Sequence, residues 1–216
     1  MREVNWDEAG KLNAAFFDQG CERHGGEGWK ASHFLSQDSQ WGVYHALMSR
    51  LPINNVTLLD VGCGQGDLIP FIYQNKKKVT QYHGIDVSAK MVDFAVKKYG
   101  PEMFTHGNFL DPERSFEYDV VVAAGPYNYR VHENYHQQFD YLRSAVTKMY
   151  KSCRRACAFT LLSSHGYEIA KDWNELVCYE PWEVMEFCMQ LTTAVVVDHA
   201  SIPAEFTVSL FRDDME

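Results

Sequence analysis

The sequence contains no CxxC pair, although it holds six cysteines: Cys21, Cys63, Cys153, Cys157, Cys178 and Cys188. Cys153 and Cys157 are spaced by a helical step rather than a zinc-knuckle step. Nine histidines form no HExxH or other compact ligand spacing, so no metal is expected. No apolar run approaches the ~18 residues that a membrane span needs. The opening stretch "MREVNWDEAGKLNAAFF" has no basic start leading into an apolar segment, which speaks against a secretory signal. Free thiols in a reducing, cytoplasmic compartment are the simplest consequence. Positive charge is scarce too: 20 Lys and Arg stand against 29 Asp and Glu, a net charge of −9. A phosphate backbone needs a basic face, so a nucleic-acid partner is not expected. The two basic clusters have local explanations: Lys76–Lys78 is expected to close a helix, and Arg154–Arg155 to follow another. Repeats and low-complexity tracts are missing.

What remains is enough for one domain. The 216 residues are 46% hydrophobic, ample for a core. Strand-like and helix-like runs alternate. "VTLLDVG" predicts a buried strand, and "DLIPFIYQNKKK" a helix capped by Asp67 with Pro70 in its first turn. "YHGIDV" is a second strand; "SAKMVDFAVKKYG" is a helix capped by Ser88 and stopped by Gly100. "EMFTHGNFL" and "YDVVVAAG" follow as strands, with a weakly signalled helix between them. The second of these is apolar throughout, as a central strand covered on both faces would be. A long amphipathic helix, "ENYHQQFDYLRSAVTKMYKSC", leads to the strand "ACAFTLLSS" and the helix "EPWEVMEFCMQL". "AVVVDHASIPAEFTVSLFR" predicts a closing hairpin.

This order implies an α/β fold: a doubly wound, mostly parallel, seven-stranded sheet with helices on both faces and an antiparallel strand from the hairpin. Residues 56–216 form that domain. Residues 1–55 fit no βαβ unit. They read as two helices, "WDEAGKLNAAFFDQG" and "FLSQDSQWGVYHALMSRL", joined by "HGGEGW", and are expected to cap the rest.

In such sheets ligands bind at the strand ends, where strand order reverses. The first strand-to-helix turn is "GCGQGD", and its N–H groups and helix dipole are expected to face the ligand. Gly62 and Gly64 let the backbone turn sharply and approach closely. A dinucleotide turn reads GxGxxG, yet here the third glycine comes one place early, at Gly66, and Asp67 takes its position. An acid there suits a ligand with sulfonium and ammonium groups better than a pyrophosphate. Asp86 ends the second strand, 24 residues after Gly62, where a carboxylate can accept both ribose hydroxyls of a nucleoside.

"LLDVGCGQGDL", "YHGIDVSAKMVDFA" and "HGNFLD", in this order and spacing, resemble the first three motifs of the class I S-adenosylmethionine-dependent methyltransferases. The match is good over residues 56–125. "DHASIPAEFTVSLFR" is similar to that family's closing hairpin, and "VVAAGPYNYR" with "YEPWEVMEFC" resembles a bacterial small-molecule subset. The resemblance implies the Rossmann-like methyltransferase fold, S-adenosylmethionine as cofactor and S-adenosylhomocysteine as product. It implies that Asp60, Gly62, Cys63 and Gly64 surround the methionine part, and that Asp86 holds the ribose. Val87 and Met91 would lie near the adenine, Asn108 and Phe109 would meet it, and Ala124 with Gly125 would close the floor. The family often has aspartate where Asn108 stands.

The acceptor is expected over the ends of the fourth and fifth strands. Tyr127, Tyr129, Arg130 and His165 lie in the segments that follow them, and Trp29 and Phe34 belong to the N-terminal cover. Tyr127 and His165 are the candidates for catalysis; Trp29, Phe34, Tyr129 and Arg130 are the candidates for substrate contact. "PYNY" is similar to the proline-aromatic motif of amino methyltransferases, but Gly125 replaces its leading amide, so the acceptor atom stays open between O and N. The expected activity is methyl transfer to a small molecule. Two alternatives stand beside it: a catalytically silent cofactor-binding partner subunit, and an NAD(P)-dependent oxidoreductase. The oligomeric state is not legible.

Overall fold

The computed structural model describes residues 5–25, 28–166 and 175–212. Three helices come first: α1 (Trp6–His24), α2 (Gly28–Ala31) and α3 (Gln37–Ser49). Then follow β1 (Asn54–Val61), α4 (Leu68–Gln74), β2 (Lys78–Asp86), α5 (Ala89–Tyr99), β3 (Phe104–His106) and β4 (Tyr118–Ala124). The chain continues through α6 (Tyr135–Ser152), β5 (Cys153–Leu162), α7 (Pro181–Cys188), β6 (Val195–Asp198) and β7 (Glu205–Phe211).

The seven strands form one sheet in the order β3-β2-β1-β4-β5-β7-β6. β1 to β5 pair in parallel; β7 runs antiparallel to β5 and to β6. Strand order reverses between β1 and β4, which puts the ligand crevice at their C-terminal ends. β4 is buried from Val120 to Ala123, and β1 from Leu58 to Val61, as strands covered on both faces must be. One face buries Leu58, Val120 and Ala158 against α3, α4 and α5; the other buries Leu59, Val121 and Phe159 against α6 and α7.

Several local expectations need correction. Asp67 stands before α4 but makes no capping hydrogen bond there; its Oδ2 instead accepts from Gln40 Nε2 at 3.3 Å. The lysines do not close α4: it ends at Gln74, Lys76 takes φ 51°, and Lys78 opens β2. The third strand shrinks to Phe104–His106, because Pro101–Met103 wind into a 3₁₀ turn and Gly107 breaks the ladder. No helix forms between β3 and β4; residues 107–117 are turns and extended chain. Ser88 caps α5 as read, accepting from Met91 N at 3.1 Å.

The segment before β1 divides in two. α3 is a layer helix: Tyr44, Leu47 and Met48 are buried in the same cluster as Val120, Val122, Ala156 and Ala158. α1 lies instead across the strand ends. Its contacts run to the residues just past β1 (Cys21 with Gln65), β2 (Asp18 with Ser88), β3 (Trp6 with Asn108) and β4 (Asn13 with Pro126). In the link "HGGEGW", Gly25 is left-handed and ends α1, while residues 26 and 27 lie outside the described residues.

Candidate active site

β1 ends at Val61 and the chain turns at once through Gly62 (φ 70°) and Gly64 (φ 54°), values that favour glycine at each. The two glycines differ in surroundings. A Cβ on Gly62 would stand 2.5 Å from the Pro126 side chain, so this turn also packs against the end of β4. A Cβ on Gly64 would meet nothing nearer than 3.5 Å, so that position is bare toward the cleft.

Four N–H groups of the turn are engaged within the protein rather than free to face the ligand. Gly62 and Cys63 both donate to the Ile85 carbonyl, at 2.8 and 3.3 Å, and Gly66 donates to Cys63 O at 2.9 Å. Gly64 N donates to Asp86 Oδ2 at 2.8 Å. What the turn offers the cleft is carboxylate: Asp60, Asp67 and Asp86 all line it. A pyrophosphate would meet three acids and a row of spent donors. A cationic ligand would meet counter-charge, and on that ground the residues fit a sulfonium nucleoside.

Asp86 is held rigidly. Its Oδ2 accepts from Gly64 and its Oδ1 accepts from Ser88 N at 2.8 Å, which leaves one lone pair on each oxygen for a pair of hydroxyls. Burial pushes its carboxyl above the usual range, against the pull of these two donors. Asp60 is buried in β1, and its Oδ2 accepts from the Tyr82 hydroxyl at 2.7 Å. Burial raises its carboxyl to about 7, so a nearby cation would draw out the proton.

The cleft at the reversal point takes in Asp60, Gly62, Cys63, Gly64, Asp86, Val87, Met91, Asn108, Phe109 and Ala124 together. Met91 and Phe109 are almost wholly buried. Asn108 is already engaged at both ends: Nδ2 donates to Trp6 O at 2.7 Å and Oδ1 accepts from Leu110 N at 2.9 Å. Each end of that amide keeps one further hydrogen-bonding position.

On the acceptor side, Phe34, Tyr127 and Tyr129 also line the cleft, whereas Trp29, Arg130 and His165 are not among its walls. Arg130 turns to the Leu176 carbonyl, at 2.8 Å. The His165 ring contacts Glu180 Oε1 at 3.2 Å and is largely exposed. Burial pushes the Tyr127 hydroxyl well above its ordinary pKa, which makes it a poor base at neutral pH.

Sequence reasoning passed over Asn13, Phe16 and Phe17 of α1, and Leu176 and Glu205. The α1 trio has the three- and four-residue spacing of a core stripe; here the stripe faces the cleft instead. Phe16 stacks between His33 and Tyr129, with ring centroids 4.4 and 4.2 Å away. His33 itself sits at φ 60°, an unusual conformation for a non-glycine residue. Glu205 carried no signal, since a glutamate opening an apolar strand looks like a solvent-facing residue.

Comparison with known proteins agrees with this geometry. Residues 58–151 match the family model of a methyltransferase domain. Comparison with curated sequences finds no match. Among solved structures, the chain is similar to magnesium protoporphyrin IX methyltransferase ChlM from Synechocystis PCC 6803 with bound S-adenosylhomocysteine. There the identity is 14%, the TM-score 0.64, and coverage 94% of this chain and 99% of that one. It is also similar to the N-methyltransferase NodS from Bradyrhizobium japonicum WM9, again with bound S-adenosylhomocysteine (14% identity, TM-score 0.59, 92% and 100% coverage). A third likeness is to a complex of the Haloferax volcanii Trm112 methyltransferase activator and a putative methyltransferase (14% identity, TM-score 0.61, 89% and 96% coverage). Residues 58–151 thus resemble a methyltransferase domain, and the chain shares its fold with the methyltransferases ChlM and NodS.

Proposed function

We propose that this chain transfers the methyl group of S-adenosylmethionine to an oxygen or nitrogen of a small-molecule acceptor and releases S-adenosylhomocysteine. The observation that carries the reading is the meeting, in one cleft, of the acid-lined glycine turn with an aromatic cover. The cofactor supplies an activated methyl group, so the protein's main tasks are alignment and exclusion of water. Asp86 holds the ribose through its two remaining lone pairs. Asp60 offers counter-charge to the methionine part, and Phe109 with Met91 forms an apolar bed for the adenine. Ala124 and Gly125 close the floor. Phe34, Phe16 and Tyr129 shut water out on the acceptor side.

In this reading α1 and α2 serve as the cover within residues 1–55, and residues 56–216 bind the cofactor. The chain works in the cytoplasm without a nucleic-acid or membrane partner; its net charge supports the first, and among the described residues no helix is long and apolar enough to cross a membrane. A thermal-shift experiment tests the core of it. S-adenosylhomocysteine at a hundredfold excess over Kd is expected to stabilise the protein by about 2.7 kcal/mol. For a chain of this size that is roughly 5–11 °C in Tm. NADH is expected to give none, and Asp86→Ala to lose most of the shift. A shift with NADH alone would favour the oxidoreductase reading. Cofactor binding without methyl transfer from labelled donor to any component of a metabolite pool would favour the silent partner subunit.

A further inference from the structure

Glu205 opens β7 and pairs in register with Leu162, the last residue of β5. That places it at the same edge of the sheet as the cleft, which it lines. Between it and Asp60 stand β4 and β5. Three strand spacings of ~4.8 Å separate the two acids by about 14 Å across the sheet. A nucleoside seated on Asp60 and Asp86 therefore leaves Glu205 to a second ligand.

Of the acids near this end, Glu175 is exposed beside His33 and Tyr129, and three others have hydrogen-bond partners. Glu180 accepts from Ser164 and meets His165, Glu183 accepts from Tyr135, and Asp198 accepts from Ser201. The Glu205 carboxylate has no hydrogen bond or ion pair among the described residues, and burial alone lifts it to about 7. A second acceptor in the cleft, more deeply buried than the half-buried Glu205, also lacks a donor. Asn13 is 5% exposed and lines the cavity; its Oδ1 is buried without a hydrogen bond. The Tyr141 phenol lies beside that amide, whose pull partly offsets the rise that burial gives the phenol. Buried acceptors left without donors are costly, and a fold keeps them where a ligand supplies the donors. The wall beside them is apolar and flat: Phe16 stacked on Tyr129, with Leu162.

We propose that the methyl acceptor carries a protonated amine that pairs with Glu205, and a flat apolar body that lies along the Phe16–Tyr129 stack. This rests on the methyltransferase reading and names the class of its acceptor. An ammonium brings several N–H donors and a positive charge, which answers the unpaired Glu205 carboxylate; the Asn13 oxygen is a further acceptor lining the same cleft. The edges of the Phe16–Tyr129 stack, with Leu162, offer apolar contact to a planar carbon body.

The test uses the full chain saturated with S-adenosylhomocysteine, titrated calorimetrically with 2-phenylethylamine and with 2-phenylethanol. The amine is expected to bind at least tenfold tighter than the alcohol, and E205Q to erase that preference while its affinity for S-adenosylhomocysteine stays unchanged. At pH 7 amine binding should also release protons to the buffer, as the carboxyl ionises against the cation. Glu205→Leu, which removes a half-buried unpaired acid, is expected to melt no lower than the wild type; a glutamate kept for structure would make the variant melt lower. Absence of amine binding, equal binding of amine and alcohol, or an amine preference retained in E205Q overturns the proposal. Failure of S-adenosylhomocysteine itself to bind would sink the methyltransferase reading instead, so the two failures are distinguishable.

Discussion

The side-chain amide of Asn108 donates to the main-chain oxygen of Trp6 at 2.7 Å, tying the end of β3 to the first turn of α1. A Cβ on Gly10, one turn further along α1, would come within 2.4 Å of the same nitrogen. This contact gives a reason for asparagine where the methyltransferase resemblance often has aspartate: an amide can donate to a carbonyl and a carboxylate cannot. Asn108→Asp would set a carboxylate against that oxygen and leave it without a donor. The expected cost is about 1–3 kcal/mol. Hydrogen exchange should rise along α1 while the sheet stays protected, and equal protection of α1 in both proteins would refute the assignment.

Asp60 gives the apo protein a pH dependence whose sign is fixed. Its carboxyl rises from 3.8 to about 7 on folding, because burial disfavours the charge. The folded state therefore binds the proton more tightly than the unfolded state. Stability from this group is fully present below pH ~4 and falls as pH climbs toward 7. Asp60→Asn keeps an acceptor for the Tyr82 hydroxyl and removes the charge. At pH 8 the variant should be more stable than the wild type by about 4 kcal/mol, and near pH 4 by little. Urea titrations of both proteins at the two pH values check this; curves that stay parallel would contradict it.

Gln138 is a buried hub that no sequence pattern announced. Its Oε1 accepts from Val131 and His132 N–H, both at 3.0 Å, and its Nε2 donates to Tyr129 O and the Tyr179 hydroxyl, both at 3.1 Å. The segment from Tyr127 to His132, which carries part of the acceptor wall, is hydrogen-bonded to α6 through this side chain, while the Tyr127 and His132 rings pack edge-on against Tyr141 of the same helix. Gln138→Ala should cost about 2–4 kcal/mol, since several buried groups lose partners together. Denaturant unfolding reads the loss; a cost under about 1 kcal/mol would mean that water replaces the amide.

Much of the architecture was legible because its signals are local. Ser88 and Gly100 bound α5, the apolar run Val120–Ala123 marks a central strand, and the early Gly66 with Asp67 sets the turn apart from a dinucleotide site. What escaped is set by contacts between segments distant in sequence. Asp67 looked like a helix cap, but Gln40 draws its carboxylate away. The N–H groups of the turn looked free until β2 supplied Ile85 O and the Asp86 side chain as acceptors. Phe16 reads as core by spacing, and only the crossing of α1 over the strand ends turns it toward the cleft. Glu205 is brought to the cleft by its pairing with Leu162 across β5 and β7.

The two glycines of the turn should separate folding from binding. Alanine at either position must adopt a left-handed φ, at a cost of about 1 kcal/mol. At Gly62 the added methyl also meets the Pro126 ring at 2.5 Å, inside the packed junction of β1 and β4. That junction can yield only by moving main chain. At Gly64 the same methyl finds open space, with Ser32 Oγ 3.5 Å away. Gly62→Ala is therefore expected to lower Tm clearly more than Gly64→Ala. Gly64→Ala should fold nearly as well as the wild type yet lose S-adenosylhomocysteine affinity at least tenfold, because its methyl projects where the ligand approaches the backbone. Calorimetric binding beside a melting curve for each variant decides the matter. If Gly64→Ala binds the ligand as tightly as the wild type, the bareness of that position serves the turn and not the cleft.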